Sequence, residues 1–349
     1  VAYVRELTET NRFFAVVKAN AYGHGLPQIV TAAKRAGVDG FAVATIDEGV
    51  WLRQFGVKLP ILILGVTPAT YVADLAKYDL IPVVASETWL DDALSQLNSE
   101  ATLTVSVAVD TGMGRIGIRD RTELERVVAK LNAADNVVFQ GIGMHFATAD
   151  GNDTVYFEKQ LAKWHELTDE LDLPADIWRH LANSGTSLWH EQPSTDAVRV
   201  GAAMYGFDAS QGALPNRELQ PVLSLKAELV HVKQVPAGTS ISYGATYTTT
   251  EPEWIGTVPV GYADGYPRAL QGMDVLLPDG RRAELVGRIA MDQFMIRLPE
   301  EMPVGTVVTL IGQVGDEEIT LVDLANKMDT IPYEIATGLS PRLPRHLVK

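Results

Sequence analysis

Short apolar runs recur eight times in the first 206 residues, and this repetition constrains the fold more than any other feature. They occupy residues 13–19, 40–45, 60–65, 80–86, 103–110, 139–146, 177–184 and 198–206. Several are apolar throughout rather than alternating, which is how a strand covered on both faces of a parallel sheet reads. Helix-like stretches separate them, at 27–36 (stopped by Gly37), 46–55 (stopped by Gly56), 68–77, 87–97 behind the N-cap Ser86, 121–132, 154–171 and 185–190. Eight strands alternating with helices predict an α/β fold that begins with a (β/α)8 TIM-like barrel. An open doubly wound sheet fits the periodicity too, but the count of eight favours closure.

Past residue 220 the pattern changes. Runs at 222–235, 255–260, 274–277, 283–286, 293–298, 306–311 and 318–321 read as short strands, punctuated by the turns PAGT, PDGR and PVGT. Only 321–328 reads as helical. The polar stretch 208–220, with Gly212 and Pro215, marks the boundary. The expected organisation is a barrel over residues 1–219 and a mostly-β C-terminal domain over 220–349.

Composition narrows the function classes. With 44 acidic against 29 basic residues the chain carries a formal charge of −15. That sign repels phosphate backbones and anionic lipid, so neither nucleic acid nor a membrane is expected as partner. No cysteine is present, which removes disulfides, thiolate nucleophiles and cysteine-held metals. It also suits a reducing cytoplasm. Apolar runs such as 59–66 are too short to cross a bilayer, and no signal peptide is visible. No metal site is expected.

Lys18 ends an apolar run and precedes ANAYGHG. It would stand at the C-terminal mouth of the first strand, where barrel enzymes keep their chemistry. Desolvation there lowers an amine's pKa and makes it a nucleophile. The ordinary alternative is a lysine snorkelling at a strand end. Arg115 follows strand five, His145 closes strand six, Asn183–Ser184–Gly185 closes strand seven, and Arg199 and Gly201 lie in strand eight. Singly, each has a plain structural explanation: a satisfied core histidine, a barrel-filling ion pair, a helix cap. Five strands supplying one rim is a different matter. Ser184, Gly185 and Gly201 also fall in the barrel's habitual phosphate zone, where backbone amides hold an anion without a nearby cation. An amine nucleophile beside a phosphate cradle points to pyridoxal 5'-phosphate, held covalently by the lysine.

The motifs AVVKANAYGHG, DTGMGRIG, HFATAD, ANSG, RVGAAMYG, SYGATY, VPVGYADGYPR, GRIAMDQ and TIPYE stand in this order. On them the chain closely resembles the bacterial alanine racemases, from Phe13 nearly to the end. The resemblance implies that Lys18 binds the cofactor and acts as base on one substrate face. It implies that Tyr243 is the opposing base, reaching the site from the partner subunit of a homodimer. Arg199 would face the pyridine nitrogen and His145 would pack on the ring. Tyr22, Asn183, Ser184, Gly201, Ala202 and Tyr333 would hold the cofactor, mostly at its phosphate. Arg115 and the backbone near Met291 would take the substrate carboxylate. Asp150, Tyr262, Arg268 and Arg288 would line a narrow entrance. The implied activity interconverts L- and D-alanine and supplies D-alanine for peptidoglycan.

The chain departs from the family pattern in places. It opens at Val1, without the segment that normally precedes it. Ala108 stands where many relatives carry a lysine, carbamylated in some, that orients the arginine matched by Arg115. Another group or an anion must serve, and substrate affinity is expected to be indifferent to carbon dioxide. Ala290 replaces the cysteine of some relatives. Three rivals stay open here. A basic-amino-acid decarboxylase of the same fold needs a cysteine that this chain lacks. A pyridoxal-phosphate homeostasis protein, a non-catalytic binding module, lacks the second domain. A serine or broad-specificity racemase differs by little, because one hydroxymethyl against one methyl is weak discrimination.

Overall fold

The computed structural model describes residues 1–8, 10, 12–191, 193 and 195–348. Two compact units divide the chain: residues 1–21 with 29–219, and residues 22–28 with those from 220 onward. Residues 22–28 thus group with the second unit although they precede most of the first.

The first unit is built on eight strands: β1 (Arg12–Val16), β2 (Gly40–Val43), β3 (Ile61–Ile63), β4 (Val83–Val84), β5 (Leu103–Ala108), β6 (Val137–Gly143), β7 (Trp178–His180) and β8 (Ala197–Val200). All ladders between them are parallel. They form two four-stranded sheets, β3-β2-β1-β8 and β4-β5-β6-β7. Two seams complete the cycle by isolated bonds rather than full ladders. At the first, Leu62 bridges Ile81, with Ile63 N–H donating to Ile81 O at 2.8 Å and Ile81 N–H to Ile61 O at 2.9 Å. At the second, Asp196 N–H donates to Arg179 O at 2.7 Å and Arg199 N–H to Ala182 O at 2.9 Å. This is the expected (β/α)8 arrangement. Phe13, Phe41, Ile61, Ile63, Val105, Val107, Ile142, Val198 and Val200 are fully buried, as apolar strands flanked on both faces must be.

The strands are shorter than the apolar runs because the ends of those runs turn into the mouth. After β1 the chain enters a left-handed turn, after β7 the helix Ser184–Trp189, and after β8 the 3-10 turn Ala202–Tyr205. Helix starts follow the sequence signals. Ser86 caps Glu87–Gln96 and Asp120 caps Arg121–Ala133. Thr45 and Glu48 form a reciprocal capping box on Ile46–Gln54.

The second unit is antiparallel. Its strands are β9 (Leu225–Glu228), β10 (His231–Val235), β11 (Ser240–Ile241), β12 (Tyr247–Thr248), β13 (Glu253–Val258), β14 (Asp274–Leu276), β15 (Arg282–Val286), β16 (Phe294–Leu298), β17 (Val307–Val314) and β18 (Glu317–Ile319). The large sheet runs β10-β13-β16-β15-β14-β17-β18, with β9 beside β17. The run expected over 222–235 is in fact two strands. Leu229 N–H bonds Thr306 O and Val230 N–H bonds Thr257 O, so the backbone changes partner between them. A second helix, Pro332–Gly338, follows Leu321–Met328 and was not expected. Proline suits its first turn, where no N–H is required.

Candidate active site

Lys18 sits just past β1 at the C-terminal edge of the parallel strands. Behind it, Ala19, Asn20, Ala21 and Tyr22 all hold φ near +53°, and Gly23 holds +78°. Residues with a Cβ lose about 1–2 kcal/mol each in this conformation. Such strain persists where the surroundings over-determine it, and it gathers at functional sites. Ala21 N–H bonds back to Val17 O at 2.9 Å, and Ala19 N–H donates to Glu48 Oε1 at 2.7 Å. Burial lowers the pKa of the Lys18 amine, and the Arg115 charge lowers it further, against an opposing pull from Glu48.

Arg199 is buried at 6% exposure, and both terminal nitrogens of its guanidinium have partners. Nη1 donates to His180 Nδ1 at 2.7 Å and to His180 O, while Nη2 donates to Met144 O at 2.7 Å and approaches His145 Nδ1 at 3.4 Å. A guanidinium has no lone pair to offer, so His180 Nδ1 is the acceptor and its proton rides on Nε2. That Nε2–H donates to Ser106 Oγ at 2.7 Å. Burial first, then Arg199, holds the His180 imidazole well below its ordinary pKa. His145 is lowered to about 3 by burial, with Arg199, Arg115 and Lys18 adding to it. Burial lowers Arg199 itself to about 10, with Arg115 contributing. Lys18, Arg115, His145 and Arg199 therefore share one electrostatic neighbourhood, as the sequence predicts.

Ser184 and Gly201 also come together. Ser184 Oγ accepts from Gly201 N–H at 3.0 Å and Ala203 N–H at 3.4 Å, which leaves its own hydroxyl proton to donate. Asn183 caps the helix that Ser184 opens, accepting from Thr186 N–H at 2.9 Å. Arg115 stands on the loop after β5. That loop is folded by Asp110, whose Oδ1 accepts from Gly112 and Gly114 N–H, both at 3.0 Å. Position 108, the last residue of β5, is alanine.

Within the second unit, the Tyr22 and Tyr333 rings meet tilted at 46° with centroids 5.9 Å apart, and burial pushes the Tyr22 phenol up to about 12. Tyr243 is 72% exposed. Its backbone is strained on both sides: Ser242 holds φ +65°, ψ −177°, and Ala245 holds φ +45°. Ser242 Oγ donates to Arg288 O at 2.7 Å, and the Arg288 guanidinium lies against Gly244. Tyr262 N–H bonds Ala290 O at 3.1 Å and Ala263 N–H bonds Met291 O at 3.0 Å, so the Tyr262 and Met291 loops are joined. Arg342 braces both, donating to Asp264 Oδ1 at 2.6 Å and Asp292 Oδ1 at 2.7 Å. Arg268 and Asp150 are exposed, and neither side chain forms a hydrogen bond or ion pair among the described residues.

Sequence reasoning missed Glu48, Ser106, Gln160, His180, Asp264 and Arg342. Gln160 supports His145 by donating to its carbonyl at 3.0 Å. One signal for His180 lay in the run FQGIGMHF: a Cβ at Gly143 would overlap the His180 ring, and one at Gly141 would crowd Ser106. Alternate glycines in a central strand mark a close approach.

Lys18 and the paired Ser184 and Gly201 thus stand where strands of this parallel ring end. Residues 1–209 match the family model for the N-terminal domain of alanine racemase, and residues 222–347 match that for its C-terminal domain. The chain belongs to the alanine racemase family. It is 48% identical over 345 residues to the alanine racemase of Ligilactobacillus salivarius, covering 98% of this chain and 92% of the relative. The crystal structure of alanine racemase from E. faecalis superposes with a TM-score of 0.94 at 47% identity, over 98% of this chain and 94% of that one. A histidine racemase from Leuconostoc mesenteroides subsp. sake superposes at 0.95 with 36% identity, over 100% of this chain and 94% of that one. Among the described residues no helix is long and apolar enough to cross a membrane.

Proposed function

We propose that the protein interconverts L- and D-alanine with pyridoxal 5'-phosphate held at the barrel mouth of residues 1–219. The observation that carries this reading is the lowered pKa of the Lys18 amine on its strained turn. The donor set fits the cofactor. Ser184 has a proton to give a phosphate, Tyr22 stays a protonated donor, and the Arg199 guanidinium would act only as a donor toward an aromatic nitrogen.

When bound, pyridoxal phosphate supplies an electron sink that makes the substrate Cα–H acidic. Arg115 and the backbone at Met291 hold the substrate carboxylate. Lys18 takes or returns the proton at Cα on one face. Tyr243 does so on the other, since one base cannot serve both sides of a planar carbon. Arg199 donates without giving up its proton, which weakens the sink and disfavours side reactions. His145, kept neutral by burial, would pack on the ring.

Tyr243 acts in this reading from a second copy of the chain, so a two-fold homodimer is the minimal catalytic unit. Asp150, Tyr262, Arg268 and Arg288 narrow the way in. The protein works in the cytoplasm and feeds D-alanine to wall synthesis. The likeness to a histidine racemase supports a second reading, a racemase tolerant of larger side chains. Chiral chromatography of alanine, serine and histidine incubated with the cofactor-loaded protein separates the two. Racemised alanine alone supports the first, comparable turnover of histidine the second, and no racemisation of any defeats both.

A further inference from the structure

Glu48 touches the Lys18 turn directly, yet no motif marks it. It lies half-buried in the first turn of Ile46–Gln54, where its capping role requires only the arm toward Thr45. Its carboxylate does more. Oε1 accepts from Ala19 N–H at 2.7 Å, and Oε2 accepts from Ala44 N–H at 2.8 Å and Thr45 N–H at 3.4 Å. Ala44 follows β2 and Ala19 follows Lys18, so one carboxylate ties the ends of two neighbouring strands. Ala19 is the first residue of the left-handed turn, the point at which that conformation must be fixed. An ionised acceptor holds an N–H about twice as strongly as a neutral one. The charges that act on the amine are those of Arg115 and Glu48, and the amine in turn acts on His145, whose other charged neighbours are Arg199 and Arg115.

We propose that Glu48 is a positioning residue for the reactive amine: its carboxylate pins the turn at Ala19, fixes how Lys18 leaves β1, and offsets the charge of Arg115. The inference rests on the reading of Lys18 as the reactive amine. Glutamine would turn an N–H2 group toward backbone donors and lose one arm. Aspartate would keep the charge but fall short of one strand end.

The test titrates Lys18 in the cofactor-free chain, by pulse labelling with pyridoxal phosphate and borohydride at a series of pH values and peptide mapping. Glu48→Gln is expected to move the labelling midpoint down by about half a pH unit or more. In the reloaded enzyme kcat should fall about ten-fold or more with KM little changed. Glu48→Asp should keep the midpoint and lose kcat. Thr45→Ala, which removes the helix cap but not the Ala19 bond, should lose comparable stability and change neither. A Glu48→Gln midpoint and kcat that match those of Thr45→Ala overturn the inference, as does a Glu48→Asp variant with unaltered kcat. Wild-type protein unlabelled at Lys18 overturns the reading of the amine and the inference with it.

Discussion

Arg199 Nη1 lies 2.7 Å from Nδ1 of His180, and this contact forces the imidazole to be neutral and protonated on Nε2 alone. A bond from an ionised donor inside the barrel is worth about 2 kcal/mol once its partner is lost. His180→Phe should therefore lower the unfolding free energy by about that amount, read from urea titrations at pH 7.5. His180→Gln, with a carbonyl left to accept from Arg199, should recover part of it. Equal stability of His180→Phe and wild type would show that the guanidinium is satisfied without the ring.

His145 and His180 are both held below their ordinary pKa, His145 at about 3. The unfolded chain takes up protons at these histidines near pH 6.5, which the folded chain refuses. Stability from this source is complete above pH 6.5 and drains away as pH falls toward the folded values. His145 approaches a slope of about 1.4 kcal/mol per pH unit, so its share of the loss between pH 6.5 and 5 comes to about 1.6 kcal/mol, and His180 adds to it with the same sign. Urea midpoints of the cofactor-free protein across that interval check the slope. His180→Phe should make it shallower.

The turn carrying Tyr262 depends on Asp264 and Arg342. Burial alone would raise the Asp264 carboxyl, but hydrogen bonds from Arg342 and Gly261 N–H outweigh it and hold the group below the usual carboxylate range. Arg342→Ala leaves this buried carboxylate with one donor fewer on each oxygen. A loss of about 2 kcal/mol is expected, together with a raised KM for substrate, because the Met291 loop loses its brace as well. Calorimetry and steady-state kinetics on Arg342→Ala and Arg342→Lys check both effects. Retention of the wild-type KM would detach Arg342 from the site.

If Tyr243 serves a neighbouring copy, Lys18→Ala and Tyr243→Ala chains are each inactive alone but complementary. Mixed after subunit exchange, they should regain about a quarter of wild-type activity, since half of the chains pair heterologously and each such pair has one intact site. Native mass spectrometry confirms the exchange. No recovery after confirmed exchange would place both bases in one chain.

The eight strands and the mouth residues were legible because their signals are local. An unbroken apolar run reads as a buried strand; Lys18, Arg115 and His145 each follow or close one, and Arg199 lies inside one. What supports those residues was not legible, because it depends on contacts far apart in sequence. Glu48 meets Ala19 across 29 positions, and Ser106 meets His180 across 74. The helix Pro332–Gly338 was missed because seven residues give too little periodicity to read. The break between β9 and β10 was missed because it is made by a change of partner, not by a turn residue. The left-handed turn has no signature either: Ala19, Asn20 and Ala21 are ordinary residues that the fold holds in an uncommon state.

The seam between β7 and β8 is thin in backbone bonds, and the Arg199 side chain reinforces it by gripping His180 on one side and Met144 on the other. Wall and instrument are thus the same set of bonds. Any substitution that retunes the guanidinium also loosens the stave it is mounted on, so selection cannot adjust this corner of the chemistry without first repairing the carpentry.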